Sequence, residues 1–267
     1  MCLMPDQQKR PLLTYFFYCL ILLSLSTPLI LVSCSSPPPV KALTISEQIQ
    51  VDTQKAEALL HDFERKVEWV KMDEAEKFLT TMARKLAKAQ DGLEAHPIRV
   101  RIHRDTDPSL KRFFSFPGTT ISVPLSYLMT VEYENELAAG IAFELGNIVN
   151  RHLAKKVEVL TSGPEGSQKK LVLFGPGSVF SLSPSDRKES VKLGLKILYL
   201  AGYDLRGMPS FFQRQLKSDG KQISELQKKE LEFNIREAQR ARSDYMPSLN
   251  PVVRSADFIK MKKGLNR

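Results

Sequence analysis

Cysteine is nearly absent from this 267-residue chain: Cys2, Cys19 and Cys34 lie within the first 34 positions and none follows. Everything after Cys34 is therefore without disulfide staples, a thiol nucleophile or cysteine-ligated metal, and must stand on its hydrophobic core. Histidine is almost as scarce. His61, His96, His103 and His152 are the full set, and no two have the i, i+4 helical spacing with which two imidazoles commonly reach one ion. No Gly-x-Ser-x-Gly run occurs, which excludes that form of serine nucleophile elbow. Long blocks of one charge are also missing. The net charge of +9 comes from scattered Lys and Arg, a pattern that favours anionic surfaces without marking a nucleic-acid partner. No internal repeat is visible, and 42% apolar residues suffice for one substantial core.

One long apolar run is present, and it comes first. MCLMPDQQKRPLL carries Lys9 and Arg10 and leads into TYFFYCLILLSLSTPLILVSC, which has no charge. This is the pattern of an export signal. Its end, Leu31-Val32-Ser33-Cys34, resembles the bacterial lipobox, which implies that Cys34 is acylated and becomes the mature N-terminus. Residues 1–33 are then the signal peptide and 34–45, with Ser35-Ser36-Pro37-Pro38-Pro39, a tether to the membrane. The alternative is an uncleaved anchor over residues 12–33, long enough to cross a bilayer. Both place the rest of the chain at a membrane, outside the cytoplasm. Loss of residues 1–33 removes Lys9, Arg10 and Asp6 and leaves a charge of +8.

From Thr44 to about Ala89, Leu59, Leu60, Phe63, Val67, Val70, Ala75, Phe78, Leu79, Met82 and Leu86 recur mostly at helical spacing, which predicts one long helix or two in tandem. After His96-Pro97 the period changes. Ile98, Val100 and Ile102 alternate with Arg99, Arg101 and His103, a half-buried strand. FFSFPGTTISVPLSYL places a Pro117-Gly118 turn between two β-prone runs, and reads as a hairpin. Leu137, Ile141, Leu145, Ile148 and Val149 then form the stripe of a core helix with Glu134 and Glu136 in its first turn. Residues 161–186, rich in Gly, Ser and Pro, read as a long mobile loop with one apolar segment at Leu171-Val172-Leu173-Phe174. A second core helix is expected from Arg187 to Ala201, capped at Gly202, then helices over 208–217 and 221–243 and a proline-interrupted tail.

Several segments in order resemble one family. They are Phe114-Ser115-Phe116-Pro117-Gly118 with Ile121 and Val123, Leu125 to Leu128, Glu136-Leu137-Ala138-Ala139, Arg151-His152, Gly194-Leu195, Ala201-Gly202-Tyr203-Asp204, Met208-Pro209 and Phe212. Over roughly residues 50–217 the chain resembles the zinc metallopeptidases of family forty-eight, which includes the HtpX-like and BepA-like proteases. The resemblance implies an α+β, zincin-like (gluzincin) domain, mainly helical with a small sheet, over 46–217, with 218–267 as a C-terminal helical extension.

The family's chemistry needs HExxH on a helix, a third ligand from a glutamate on the next core helix, and an open zinc position for the attacking water. Here the five residues are Phe143-Glu144-Leu145-Gly146-Asn147. Phenylalanine cannot bind zinc and a neutral amide binds it poorly. Aligned on Gly194, the third ligand becomes Arg187 and its supporting aspartate Val191, while a shift of one or two residues brings Asp186 or Glu189 there instead. Glu144 remains as a vestigial general base with no metal to activate its water. An ion pair between Arg187 and Glu144, with Phe143 beside it, is expected to fill the site.

Gly118, Thr119, Thr120, Ile121, Ser122 and Val123 match the family's substrate-holding edge strand; an ordinary core hairpin is the competing reading. Arg112-Phe113 replaces the usual Asn-Ala before it, and Phe113 is expected to narrow the groove. The expectation is a pseudoprotease without zinc or other cofactor, anchored through Cys34 in the bacterial envelope at the outer membrane. It would bind envelope proteins or peptides in outer-membrane protein assembly and quality control. Two alternatives stand beside it: an active zinc metalloendopeptidase with a non-standard site, and a peripheral module for anionic lipid or glycan.

Overall fold

A computed structural model describes residues 43–94, 96–118, 120–161, 171–174, 178–219 and 223–265. The signal segment, Cys34 and most of the tether lie outside them, as does Thr119. Leu43–Arg267 forms one unit.

Helix α1 (Ile45–Glu64) starts at a capping box in which Thr44 accepts from the Glu47 amide and the Glu47 carboxylate accepts from the Thr44 amide. Helix α2 (Asp73–Ala87) buries Ala75, Leu79, Met82, Ala83 and Leu86, and carries acids in its first turn and Arg84 and Lys85 in its last, matching the helix dipole. The Thr44–Ala89 pattern is thus two helices, separated by a connection in which Val70 N–H donates to the Ile102 carbonyl of β1 (Arg99–His103) and the Glu68 carbonyl accepts from Arg104 N–H just after that strand.

The sheet is small, with β2 (Phe114–Ser115) and β3 (Thr120–Pro124) completing the order β1-β3-β2. Strand β1 runs parallel to β3, with Val100 opposite Ile121. Strand β2 runs antiparallel, with Phe114 opposite Ser122. The hairpin expectation holds for β2 and β3, but β3 is the central strand and has partners on both sides. The outer side of β1 is covered too, since Thr80 Oγ1 and Glu76 Oε1 on α2 accept from the amides of Val100 and Ile102.

A short helix α3 (Leu125–Thr130) leads to α4 (Glu134–Val149), which is buried almost end to end. Then come α5 (His152–Thr161), α6 (Pro184–Leu200), α7 (Gly207–Asp219), α8 (Glu225–Arg242) and α9 (Ala256–Leu265). Helix α4 is central, packed against α6 and α7, while α8 lies across α6 and α7. Glycine lets α4 and α6 approach: a Cβ on Gly146 would sit 2.9 Å from the Ser190 carbonyl, and one on Gly194 3.2 Å from the Ala142 backbone.

The tail departs from expectation. Val252 bridges in parallel to Tyr203, with Val252 N–H donating to the Gly202 carbonyl at 2.8 Å, and α9 follows, burying Phe258 and Met261. The loop reading of 161–186 also needs correction. Pro184 to Asp186 already belong to α6, and Leu173, Val179 and Phe180 are buried in a second apolar cluster with Phe63, Phe114 and Phe116. Phe63 stands at its centre, within 4.9 to 6.2 Å of six other rings. The fold is α+β, helical with a small sheet.

Candidate functional site

Helical spacing puts Phe143, Glu144 and Asn147 on the part of α4 that faces β2, α6 and α7, and the glycine contact at Gly146 brings Ser190 of α6 against them. The three positions that the resemblance assigns to zinc ligands are all buried: Phe143, Asn147 and Arg187 are 5%, 7% and 5% exposed.

Phe143 stacks edge-on against Phe212 of α7, with ring centroids 5.3 Å apart. The Asn147 amide nitrogen donates to Glu144 Oε2 at 2.9 Å, and its oxygen accepts from Ser190 Oγ at 2.6 Å. Glu144 takes a second bond on the same oxygen, from Ser115 Oγ at 2.6 Å. Burial pushes the Glu144 carboxyl above the ordinary glutamate range, against the bonds from Ser115 and Asn147 and the charge of Arg112.

Arg187 does not pair with Glu144. Its guanidinium lies 2.6 Å from Glu230 of α8, and its Nε donates to the Leu182 carbonyl at 3.1 Å. The expected ion pair is replaced because Glu144 is already supplied with donors by Ser115 and Asn147, while α8 brings Glu230 to the arginine. Burial lowers the Arg187 pKa and the Glu230 carboxylate counters it. The sequence gives no sign of Glu230, which lies 43 positions further on in the extension. Ser190 is one helical turn from Arg187, so facing α6 against α4 points to it.

These residues do not fit a zinc ion. One is a hydrocarbon, one a neutral amide whose oxygen and nitrogen are both engaged, and one a cation already paired. The remaining cavity, about 60 Å³ and lined by Arg112, Phe113, Phe143, Glu144, Arg187 and Glu230 among others, has room for a few waters. Phe113 is a buried lining residue, 2% exposed and edge-on to Tyr127 and Phe211.

The substrate-strand reading is overturned by the sheet order. Thr120, Ile121, Ser122 and Val123 are in β3, buried and paired with β1, and β2 takes the other side at Ile121 and Ser122. A peptide adding to this strand would have to displace β2. Gly118 is the turn before it, at φ +102, with Thr53 packed where a side chain would stand. Ser122 serves His103, whose Nε2–H donates to the Leu110 carbonyl at 2.8 Å while Nδ1 accepts from Ser122 Oγ at 2.6 Å. Burial lowers the His103 pKa and keeps it neutral.

Among curated proteins the chain is 25% identical over 122 residues to a Vibrio cholerae protein whose assigned name is that of a beta-barrel assembly-enhancing protease. The relationship is peptidase-like. The match covers 38% of this chain and 25% of that protein, so the aligned part spans a quarter of the length of this peptidase-like relative. No family model matches the chain.

Proposed function

We propose that the chain is a zincin-like pseudoprotease that acts by binding in envelope or outer-membrane protein assembly and quality control, held at the membrane through lipidated Cys34. The observation that carries this reading is how the three positions that the resemblance assigns to ligands are engaged: Phe143 with Phe212, Asn147 with Glu144 and Ser190, Arg187 with Glu230. Glu144 on its own is a buried acid, and without a metal nothing brings the pKa of a water from about 15.7 toward 7. The assembly role rests on what the similar protein's name says of that protein. The anchor rests on Leu31-Val32-Ser33-Cys34. Among the described residues no helix is long and apolar enough to cross a membrane.

The test compares the full chain in detergent with its Glu144→Gln variant on an unfolded β-barrel protein, with and without added zinc. Retention of the substrate without cleavage, equal in the two proteins, is expected. Zinc-dependent cleavage that disappears in Glu144→Gln would sink the proposal. Metabolic labelling with palmitate should mark the wild type and not Cys34→Ala.

A further inference from the structure

Beside the vacated centre, His152, which the resemblance assigns to no metal, converges with Asp186 and Glu189, which it offers only as shifted alternatives for the third ligand. His152 opens α5, and its side chain is 2% exposed; Asp186 and Glu189 stand on the first turns of α6 at 39% and 58%. The His152 Nε2 lies 3.3 Å from Glu189 Oε2 and 3.7 Å from Asp186 Oδ1, and one ligand atom from each residue lies within 4.8 Å of the others.

The hydrogen bonds behind the imidazole decide what its exposed nitrogen offers. The Asn147 amide nitrogen donates to Glu144, so its oxygen faces Ser190 and takes the serine's only hydrogen. Ser190 Oγ can then only accept from His152 Nδ1, 3.1 Å away, which places the ring proton on Nδ1. In the neutral ring the Nε2 lone pair is left aimed at two carboxylates. With the ring neutral three acceptors meet and, among the described residues, no other donor lies between them, an arrangement that suits a cation.

We propose that His152, Asp186 and Glu189 bind a divalent transition-metal ion of the zinc class. With bonds of about 2.0–2.2 Å, tetrahedral ligand atoms stand roughly 3.3–3.6 Å apart, close to the two separations above, and the exposed Glu189 has the freedom to close the third. One histidine and two carboxylates are a donor set that zinc accepts. The support is already in place. Metal-bound histidines donate their second ring N–H to a fixed acceptor, the part that Ser190 plays, backed by Asn147 and Glu144. Asp186 is oriented by the cap of α6, where its Oδ2 accepts from the Ser183 amide and Oδ1 is left toward His152. Arg151, in the left-handed region at φ 57 and held by a two-pronged pair with Asp52 at 2.7 and 2.8 Å, turns the chain so that His152 faces inward. Lys156 and Arg187 also feel the Asp186 charge, but Lys156 donates to the Ser178 and Ser181 carbonyls and Arg187 is paired with Glu230.

The site does not depend on the pseudoprotease reading. Its test is a calorimetric zinc titration of the full chain in detergent after chelator treatment, with thermal unfolding at each step. One zinc per chain and a zinc-dependent rise in Tm are expected. The affinity should fall tenfold or more in Glu189→Gln and in Asp186→Asn, which keeps a cap acceptor. Because His152 is buried and its replacement can disturb the fold, these two exposed positions decide. No stoichiometric uptake, or uptake untouched by both variants, would overturn the proposal and leave the trio as an imidazolium ion pair. Binding lost in Glu144→Gln yet retained in Glu189→Gln would place the ion at the vacated centre and overturn it equally. Cleavage assays bear on the pseudoprotease reading alone.

Discussion

Asn147, at a position that the resemblance assigns to a zinc-binding imidazole, gives a hydrogen to Glu144 through its amide nitrogen and takes one from Ser190 through its oxygen. Glu144 is thereby a buried acid held by two donors on one oxygen. Both bonds fall on Oε2, so glutamine can keep them through its amide oxygen while carrying no charge. The wild-type carboxyl holds its proton more tightly folded than unfolded, because burial raises its pKa from the ordinary 4.5. Its contribution to stability is therefore fully present below that value and is lost as pH rises through the raised one. Glu144→Gln should match the wild type in Tm near about pH 4 and exceed it near about pH 8. His103, common to both proteins, acts in the opposite sense, its contribution being lost as pH falls below 6.5, so the difference between the two melting curves isolates Glu144. A constant difference across that range would show that the carboxyl is not desolvated.

Between elements, the decisive contact is Arg187 on α6 with Glu230 on α8, side chains 7% and 18% exposed. Removing either partner leaves a charge buried without compensation, which costs about 3–5 kcal/mol. Arg187→Ala and Glu230→Ala should each lower the unfolding free energy measured in urea by that order, and the double variant should recover part of the loss. Additive losses would mean that the two charges do not interact. This pair also marks the limit of what the sequence made legible. Periodicity located α2, β1, the β2 and β3 hairpin, α4 and α6, because their apolar residues repeat with the period of the element that buries them. Phe143, Glu144 and Asn147 stand near one another on α4 as helical spacing predicts, and Arg187 of α6 lines the same cavity as Phe143 and Glu144. Glu230 and the central place of β3 were not legible, since neither a long-range ion pair nor strand order has a local signature. The grouping of buried His152 with Asp186 and Glu189 escaped for the same reason: the two acids lie 34 and 37 positions beyond the histidine and meet it only when α5 packs beside α6.

At the scale of the whole molecule, the last residues close the fold that the central helix begins. Glu134, at the start of α4, is buried and accepts from the Tyr203 hydroxyl at 3.1 Å and from the Ser255 amide at 2.7 Å. Val252 is inserted beside Tyr203 and Asp204, and Phe258 covers Phe78 of α2 with ring centroids 6.2 Å apart. Lys262 reaches the carbonyls of Leu128 and Met129 at the end of α3, so the tail touches three regions distant in sequence. Ending the chain after Asn250 removes all of these except the bond between Tyr203 and Glu134. Burial of a side chain such as Phe258 or Met261 is worth about 1.5–3 kcal/mol, so the truncation should cost roughly 3–6 kcal/mol from these two alone. That is a large share of the 5–15 kcal/mol by which domains are ordinarily stable. The truncated chain should unfold at much lower urea and lose amide-exchange protection at the start of α4, where the Glu134 and Asn135 amides donate to the Val253 carbonyl. An unchanged midpoint with unchanged protection would show that the tail only decorates a core complete without it.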